Sequence, residues 1–383
     1  MINGKYAGIV IYNTFLNTKK YSEHVDWLLD AAKRHDILLM PVGNSDIISV
    51  INPDGEVKCA LSSAVNLLKY GFIESPDELQ DEYAAINKID EDSQNSESLI
   101  EDSYDSESLI EDSQDSESLI KDSHHFNIDL LDFIIYWDKD IRLGKLLEES
   151  LDAKFFNAID SVAICDDKYE TYLKLSKWNK ENPDKKLNLI KTILVPMTYE
   201  NIGFSKFDDN SLDFIKKIGD TLSYPFIIKE CFGSFGAQVY KADNEKEAVN
   251  IIKAHERHPL ICQEYIEESK GEDVRIQVVG DRVVCAMHRK ANNDDFRANI
   301  TNGGTAYNYE PSEKEKEIAL NVTKALGLTF TGVDLLFSDK KAEIVCEVNS
   351  NAHFKNISEC TGINVAEEII SYICDCLVNS KHS

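Results

Sequence analysis

Three oxygen-bearing side chains late in the sequence, Asp334, Glu347 and Asn349, are spaced to meet on one face of a β-hairpin. They lie in TGVDLLFSDKKAEIVCEVN, residues 331–349, where two apolar arms, Gly332–Phe337 and Glu343–Val348, flank a polar turn from Ser338 to Lys341. Val, Leu, Ile and Phe favour strands, and strand side chains alternate between faces. Glu347 and Asn349 therefore point one way, with Cys346 and Val348 packed behind them. A turn centred on Lys340 and Lys341 sets Asp334 opposite Glu347. Facing carboxylates repel unless something positive lies between them, and oxygen ligands with no His or Cys partner suit Mg²⁺ or Mn²⁺, one or two ions sharing substrate phosphates. Taken alone, the pattern also describes two solvated acids on an edge hairpin.

Other stretches carry the complementary charge. In YPFIIKECFGSFGAQVY, residues 224–240, a strand ends at Lys229 and leads into Gly233, Ser234, Phe235 and Gly236. Such a strand aims an ammonium at the mouth of a cleft, and glycines let backbone N–H groups approach an anion. This is a phosphate cover rather than a P-loop, because no Gly-Lys-Ser/Thr opens a helix after it; glycine turns between strands also occur without any such role. Leu260–Ile266 reads as a strand, and Asp273–Val279 with Val283–Arg289 as a hairpin about Gly280-Asp281. Alternation puts Asp273, Arg275 and Gln277 on one face. Arg275, Arg289, Lys290 and Arg297 gather in one region, followed by Asn299. Surface ion pairs among the 68 acidic residues are one account of these cations; a phosphate bridging Arg297 and the hairpin carboxylates is the other.

The elements that position these groups fit a two- or three-domain protein. The 383 residues are 43% hydrophobic, enough for a sizeable core. No apolar run reaches the roughly 18 residues of a membrane span, and MINGKYAGIVIYN has no leader character, so a cytoplasmic location with no membrane partner is expected. The nine cysteines, with no CxxC, fit reduced thiols better than a disulfide framework or zinc site. A formal charge of −27 argues against nucleic acid as a partner. Residues 6–13, 22–34 and 37–42 read as strand, helix and strand, the opening of a parallel sheet, without the GxGxxG of a dinucleotide site. NPDG at 52–55 is a turn. Strands at 133–137 and 154–156 and a helix at 138–150 resume the pattern, and a composition change puts a boundary near Ala163, ahead of a helix at 166–178 and a strand at 192–195.

Between these parts, residues 91–120 repeat a decapeptide three times: EDSQNSESLI, EDSYDSESLI, EDSQDSESLI. From 90 to 124 there are thirteen acidic residues and one lysine, with few apolar groups to offset the cost of ordering the backbone. A disordered or loosely helical insertion is expected. A folded repeat module, a docking tail and a mimic of an acidic peptide are the other readings.

From Asp166 onward the chain resembles an ATP-grasp domain, and most closely its RimK-like branch of amino-acid ligases. The matching pieces are Asp167-Lys168, IIKECFGSFG, QEYIEESKGEDVR, GDRVVCAMHR, FRANITNGG, TGVDLL and EVN, in family order. The resemblance implies an α/β protein: an α+β ATP-grasp fold, residues 164–383, preceded by a Rossmann-like pre-ATP-grasp domain, residues 1–163, that holds the insertion. It further implies that Lys168 and Lys229 contact ATP phosphates, that Gly233, Ser234, Phe235 and Gly236 form a lid, that Glu264, Tyr265 and Ile266 line the adenine, and that Asp273 holds the ribose. Asp334, Glu347 and Asn349 would hold Mg²⁺. Arg297 and Asn299 would stabilise the transferring phosphoryl group, and Arg275 and Arg289 would take a substrate carboxylate.

The implied reaction joins a carboxylate to an amine through an acyl phosphate, adding an amino acid to an amino-acid, peptide or small-molecule acceptor, in a protein expected to self-associate. A ligase closing lactams or esters on a precursor peptide, and an ATP-binding module without catalysis, are the alternatives. After EVN the branch often continues Ser-Pro-Gly, whereas this chain has Ser350-Asn351-Ala352-His353-Phe354. That departure leaves the metal set intact and the substrates open; His353 reads either as a base or as a structural residue.

Overall fold

The computed structural model describes residues 2, 4–15, 19–51, 57–61, 69–72, 130–197, 209–233, 236–292, 295–298, 303–339 and 341–380. The decapeptide repeats, the turn at 52–55, Ser234, Phe235 and Asn299 lie outside them. The first elements are β1 (Ala7–Tyr12), α1 (Lys19–Arg34), β2 (Leu38–Gly43), β3 (Ile47–Ile51), β4 (Val57–Leu61), β5 (Phe133–Trp137), α2 (Ile141–Ser150) and β6 (Lys154–Phe156). β1, β2, β5 and β6 form a parallel sheet in the order β2-β1-β5-β6, as the strand–helix–strand opening requires. β1 and β5 are buried almost end to end because both faces of the sheet are covered, while β6 at the edge starts on the exposed Lys154.

Two helices follow, α3 (Ile159–Asp166) and α4 (Lys168–Glu181). α3 runs across the stretch where composition suggests a boundary, with Ala163 inside it; the break between the helices is at Asp167, whose carboxylate caps α4 by accepting from Tyr169 N at 2.8 Å and Glu170 N at 3.3 Å. Then come β7 (Asn188–Leu189), β8 (Thr192–Val195), α5 (Asp209–Leu222), β9 (Phe226–Glu230), β10 (Val239–Ala242), α6 (Glu245–Ala254) and β11 (Leu260–Glu264). They build an antiparallel sheet, β10-β9-β11-β8, with a core of its own against α5 and α6.

The last part holds β12 (Glu272–Val279), β13 (Arg282–Lys290), β14 (Thr305–Asn308), α7 (Glu313–Leu326), β15 (Phe330–Ser338), β16 (Lys341–Asn349), α8 (Lys355–Thr361) and α9 (Val365–Ser380). The strands form a six-stranded sheet, β14-β13-β12-β15-β16-β7. One face packs on α7 and α4 through Val274, Val322, Val333 and Leu175. Half of the other face, with Val279 and Phe330, shares a core with α1, α9 and Trp137 of the first sheet.

Asn157, fully buried, fastens the two sheets together. Its Nδ2 donates to Phe330 O at 2.9 Å and Ser350 O at 3.0 Å. Its Oδ1 accepts from Thr329 N and Thr329 Oγ1, both at 2.6 Å, and from Phe330 N at 3.1 Å. Removing the amide takes away all five of these hydrogen bonds at once. Asn157→Ala is expected to lower the unfolding free energy by about 3 kcal/mol, measured by urea denaturation; a loss under about 0.5 kcal/mol would show that water replaces the amide.

Candidate active site

The open half of the six-stranded sheet carries a quartet of charges set by strand register. Asp273 lies opposite Arg289 across β12 and β13, and Arg275 opposite Asp334 across β12 and β15. Arg275 forks onto Asp334 with Nε–Oδ1 and Nη2–Oδ2 both 2.6 Å. Arg289 forks onto Asp273 at 2.6 and 2.7 Å and reaches Asp334 Oδ2 at 2.9 Å. Burial pushes the Asp334 carboxyl up, but Arg275 and Arg289 together hold it below the usual carboxylate range. Asp273 is raised, by burial first. The Arg289 guanidinium is held charged more firmly than usual, its two carboxylates outweighing burial. Gly332 makes room for this packing: a Cβ there would lie 2.6 Å from Ala352 Cβ and 3.5 Å from Arg275 Cδ.

Asp334 does pair with Glu347. The turn is one residue earlier than the sequence suggests, since β15 ends at Ser338 and β16 begins at Lys341, and two bulges between the strands restore the register. The bulge at Cys346 corrects one expectation. Cys346 does not pack behind the hairpin; its Sγ is 3.9 Å from Lys229 Nζ, on the side of Glu347. A bulge puts two consecutive side chains toward one face, while Val345 and Val348 fill the core behind. Tyr172, missed in the sequence, holds the bulge: its hydroxyl lies 2.7 Å from Val345 O and 3.2 Å from Cys346 O. The only trace of this in the sequence is its place on α4 one turn after Lys168.

Lys168 donates to Gly233 O at 3.1 Å and is 3.8 Å from Glu347 Oε1, so it joins the glycine loop to the hairpin. Lys229 is 8% exposed, and among the described residues no carboxylate lies within 4.0 Å of it. Asn349 ends β16 with its Nδ2 buried and without a partner among the described residues. Glu264 stands at the end of β11, accepting from Lys191 N at 3.2 Å; Tyr265 and Ile266 follow, with Lys241 Nζ 5.1 Å from the Tyr265 ring. Arg297 is placed elsewhere than against the hairpin acids: it is held by Asp295, at 3.0 and 2.9 Å, and donates to Gly236 O at 2.8 Å. Lys290 leaves the cluster, pairing with Glu272 on the opposite face.

Counting Lys168, Lys229, Arg275 and Arg289 against Asp273, Asp334 and Glu347 leaves one positive charge in excess. The site is therefore made for an anion. The donors fit Mg²⁺ as hard oxygens on one face: Glu347 is open, the Asn349 amide is uncommitted, and Asp334 keeps a free lone pair beyond its guanidinium bonds. The surrounding cations disfavour a bare metal ion and favour one that arrives with phosphates.

A model of the RimK-like ATP-grasp domain matches residues 183–373. The chain belongs to the ATP-grasp superfamily, and within it to the RimK-like branch. A probable alpha-L-glutamate ligase of Legionella pneumophila is 39% identical over 185 residues, 48% of this chain and 59% of the relative's length. The D-Ala:D-Ser ligase VanG of Enterococcus faecalis has the same fold, with a TM-score of 0.59 at 18% identity over 96% of this chain and 98% of that one. So does the ATP-grasp ligase PsnB, complexed with a variant of its minimal precursor, Mg and ADP, with a TM-score of 0.52 at 13% identity over 97% and 98% of the two chains.

The quartet yields a prediction about stability. Arg275→Met leaves Asp334 with one guanidinium and is expected to cost about 3 kcal/mol or more, whereas the double variant Arg275→Met/Asp334→Leu recovers most of that loss. Unfolding midpoints in urea test it, and additive losses in the double variant would show that the two side chains do not act as a pair.

Proposed function

We propose that this chain is an ATP- and Mg²⁺-dependent carboxylate–amine ligase that forms an amide through an acyl phosphate, joining an amino acid to an amino-acid or peptide acceptor. The observation that carries the reading is Lys229, a buried ammonium whose one hydrogen-bond partner among the described residues is the Cys346 thiol. A buried charge without a counter-charge is costly, and a polyphosphate supplies one. Lys168 meets the same anion from the other side and ties it to the Gly233 carbonyl loop.

In this reading, Glu264 to Ile266 present their backbone to the adenine and Asp273 holds the ribose. Asp334, Glu347 and Asn349 would hold Mg²⁺, which when bound would neutralise phosphate charge toward an attacking carboxylate. Arg297, tied to the Gly236 carbonyl, moves with the glycine loop and brings positive charge to the transferring phosphoryl group. Asn299 assists it. Arg275 and Arg289 are already engaged by carboxylates, so their contribution is to fix Asp334 and Asp273 and to add field, with substrate carboxylate binding as the further role. The acyl phosphate, shielded from water under the loop, meets the amine. No cysteine is needed; burial raises the Cys346 thiol to about 11, offset in part by Lys229.

Two results are expected. Purified protein given Mg·ATP, pooled amino acids and short acidic peptides releases ADP and phosphate and yields a product one water lighter than its components; Asn349→Ala and Asp334→Ala lose at least 100-fold of this activity. Lys229→Met loses ADP formation to a similar extent yet unfolds at a higher denaturant concentration, by about 1 kcal/mol, since it removes an unpaired buried charge. Full turnover by Lys229→Met would overturn the phosphate role.

A further inference from the structure

A second cavity, ≈ 620 Å³, lies on the far side of the six-stranded sheet, lined by Glu268, Glu272, His288, Tyr309, Phe337 and Asp339. Glu272 precedes Asp273 and His288 precedes Arg289, so alternation sends each to the face opposite the charge quartet. That face is otherwise closed by α7, and the cavity occupies its uncovered end, where Tyr309 leads into the helix and donates to Glu315 at 3.0 Å.

The walls are fixed from within. Buried Ser269 accepts from Phe337 N at 3.0 Å and donates to Glu272 O, which holds Glu268 beside the Phe337 ring. The His288 ring meets Phe337 edge-on at 5.3 Å and Tyr309 at 6.4 Å. Its Nε2 is 3.0 Å from Glu272 Oε2, and Lys290 takes the other oxygen of that carboxylate. Glu268 and Asp339 remain: neither has a cation within 4.0 Å among the described residues. Asp339 is also held at φ 48°, a left-handed backbone that Asp tolerates better than most residues.

Aromatic rings around a cavity of ligand size, with two uncommitted carboxylates at its rim, suit an organic cation whose carbon chain packs on the rings. We propose that this cavity is a binding site, separate from the nucleotide cleft, for an alkylammonium or guanidinium group, carried either by a free amine or by a lysine or arginine side chain of a peptide. The net charge of −27 draws such ligands toward the chain from a distance. The pocket gives them a place.

The experiment is calorimetric titration of the full chain at physiological salt with four probes: 1,4-diaminobutane, the Nα-acetyl methylamides of lysine and arginine, and the neutral norleucine analogue. Saturable one-to-one binding of a cationic probe, and none of the norleucine compound, is expected. Binding of the diamine alone identifies a free amine as the ligand class, and binding of the amides identifies a peptide side chain. Glu268→Gln/Asp339→Asn, conservative and exposed, is expected to weaken binding at least tenfold. Asp213→Asn/Asp220→Asn, on α5, is expected to leave it unchanged, as is Lys229→Met in the nucleotide cleft. No saturation with any cation, equal binding of the norleucine analogue, or equal weakening by the α5 pair would overturn the proposal, the last by reducing it to general attraction to an acidic surface.

Discussion

Everything at the candidate site is referred to the four buried charges of β12, β13 and β15. Two guanidinium groups and two carboxylates share one neutral cluster, and each pair is made by residues directly opposite in the sheet. Removing one member leaves a buried charge uncompensated, so the cluster specifies a single register for three strands. The hairpin that follows inherits this register. Glu347 and Asn349 face the cleft beside the pinned Asp334, and the bulge at Cys346 absorbs the mismatch between hairpin length and that fixed point.

The same cluster explains the electrostatic character of the cleft. The acids there are nearly all spent on internal cations, while Lys168 and Lys229 approach from α4 and β9 with little to neutralise them. A protein with a large excess of negative charge thus keeps one small region positive. Field lines from a polyphosphate end on these lysines, whereas the acidic remainder of the surface repels it.

Much of this was legible in the sequence because it is local. Period-two alternation placed Asp273 and Arg275 on one face, and apolar runs located β5, β6 and β8 to the residue, whereas Asp334 meets Glu347 only because an earlier turn is offset by two bulges. What alternation cannot see is a bulge: Cys346 was assigned to the core since a strict period of two puts it there. Long-range partners were equally hidden. Nothing in a sequence shows that the Gly236 carbonyl takes up Arg297 or that Tyr172 supports carbonyls more than 170 residues away. The family resemblance supplied Lys168, which no pattern would have singled out, and the structure gave it neighbours.

Asn157 has a mechanical consequence. Its amide grips the start of β15 and the loop just past Asn349, so the acidic hairpin is tied directly to the end of the parallel sheet. The β8–β11 sheet has its own core and reaches that body at the cleft through Lys229 of β9, next to Cys346, and through the Gly233 carbonyl, which accepts from Lys168 of α4. Any displacement of that sheet relative to the hairpin would carry Lys229 with it and leave the acids where Asn157 ties them.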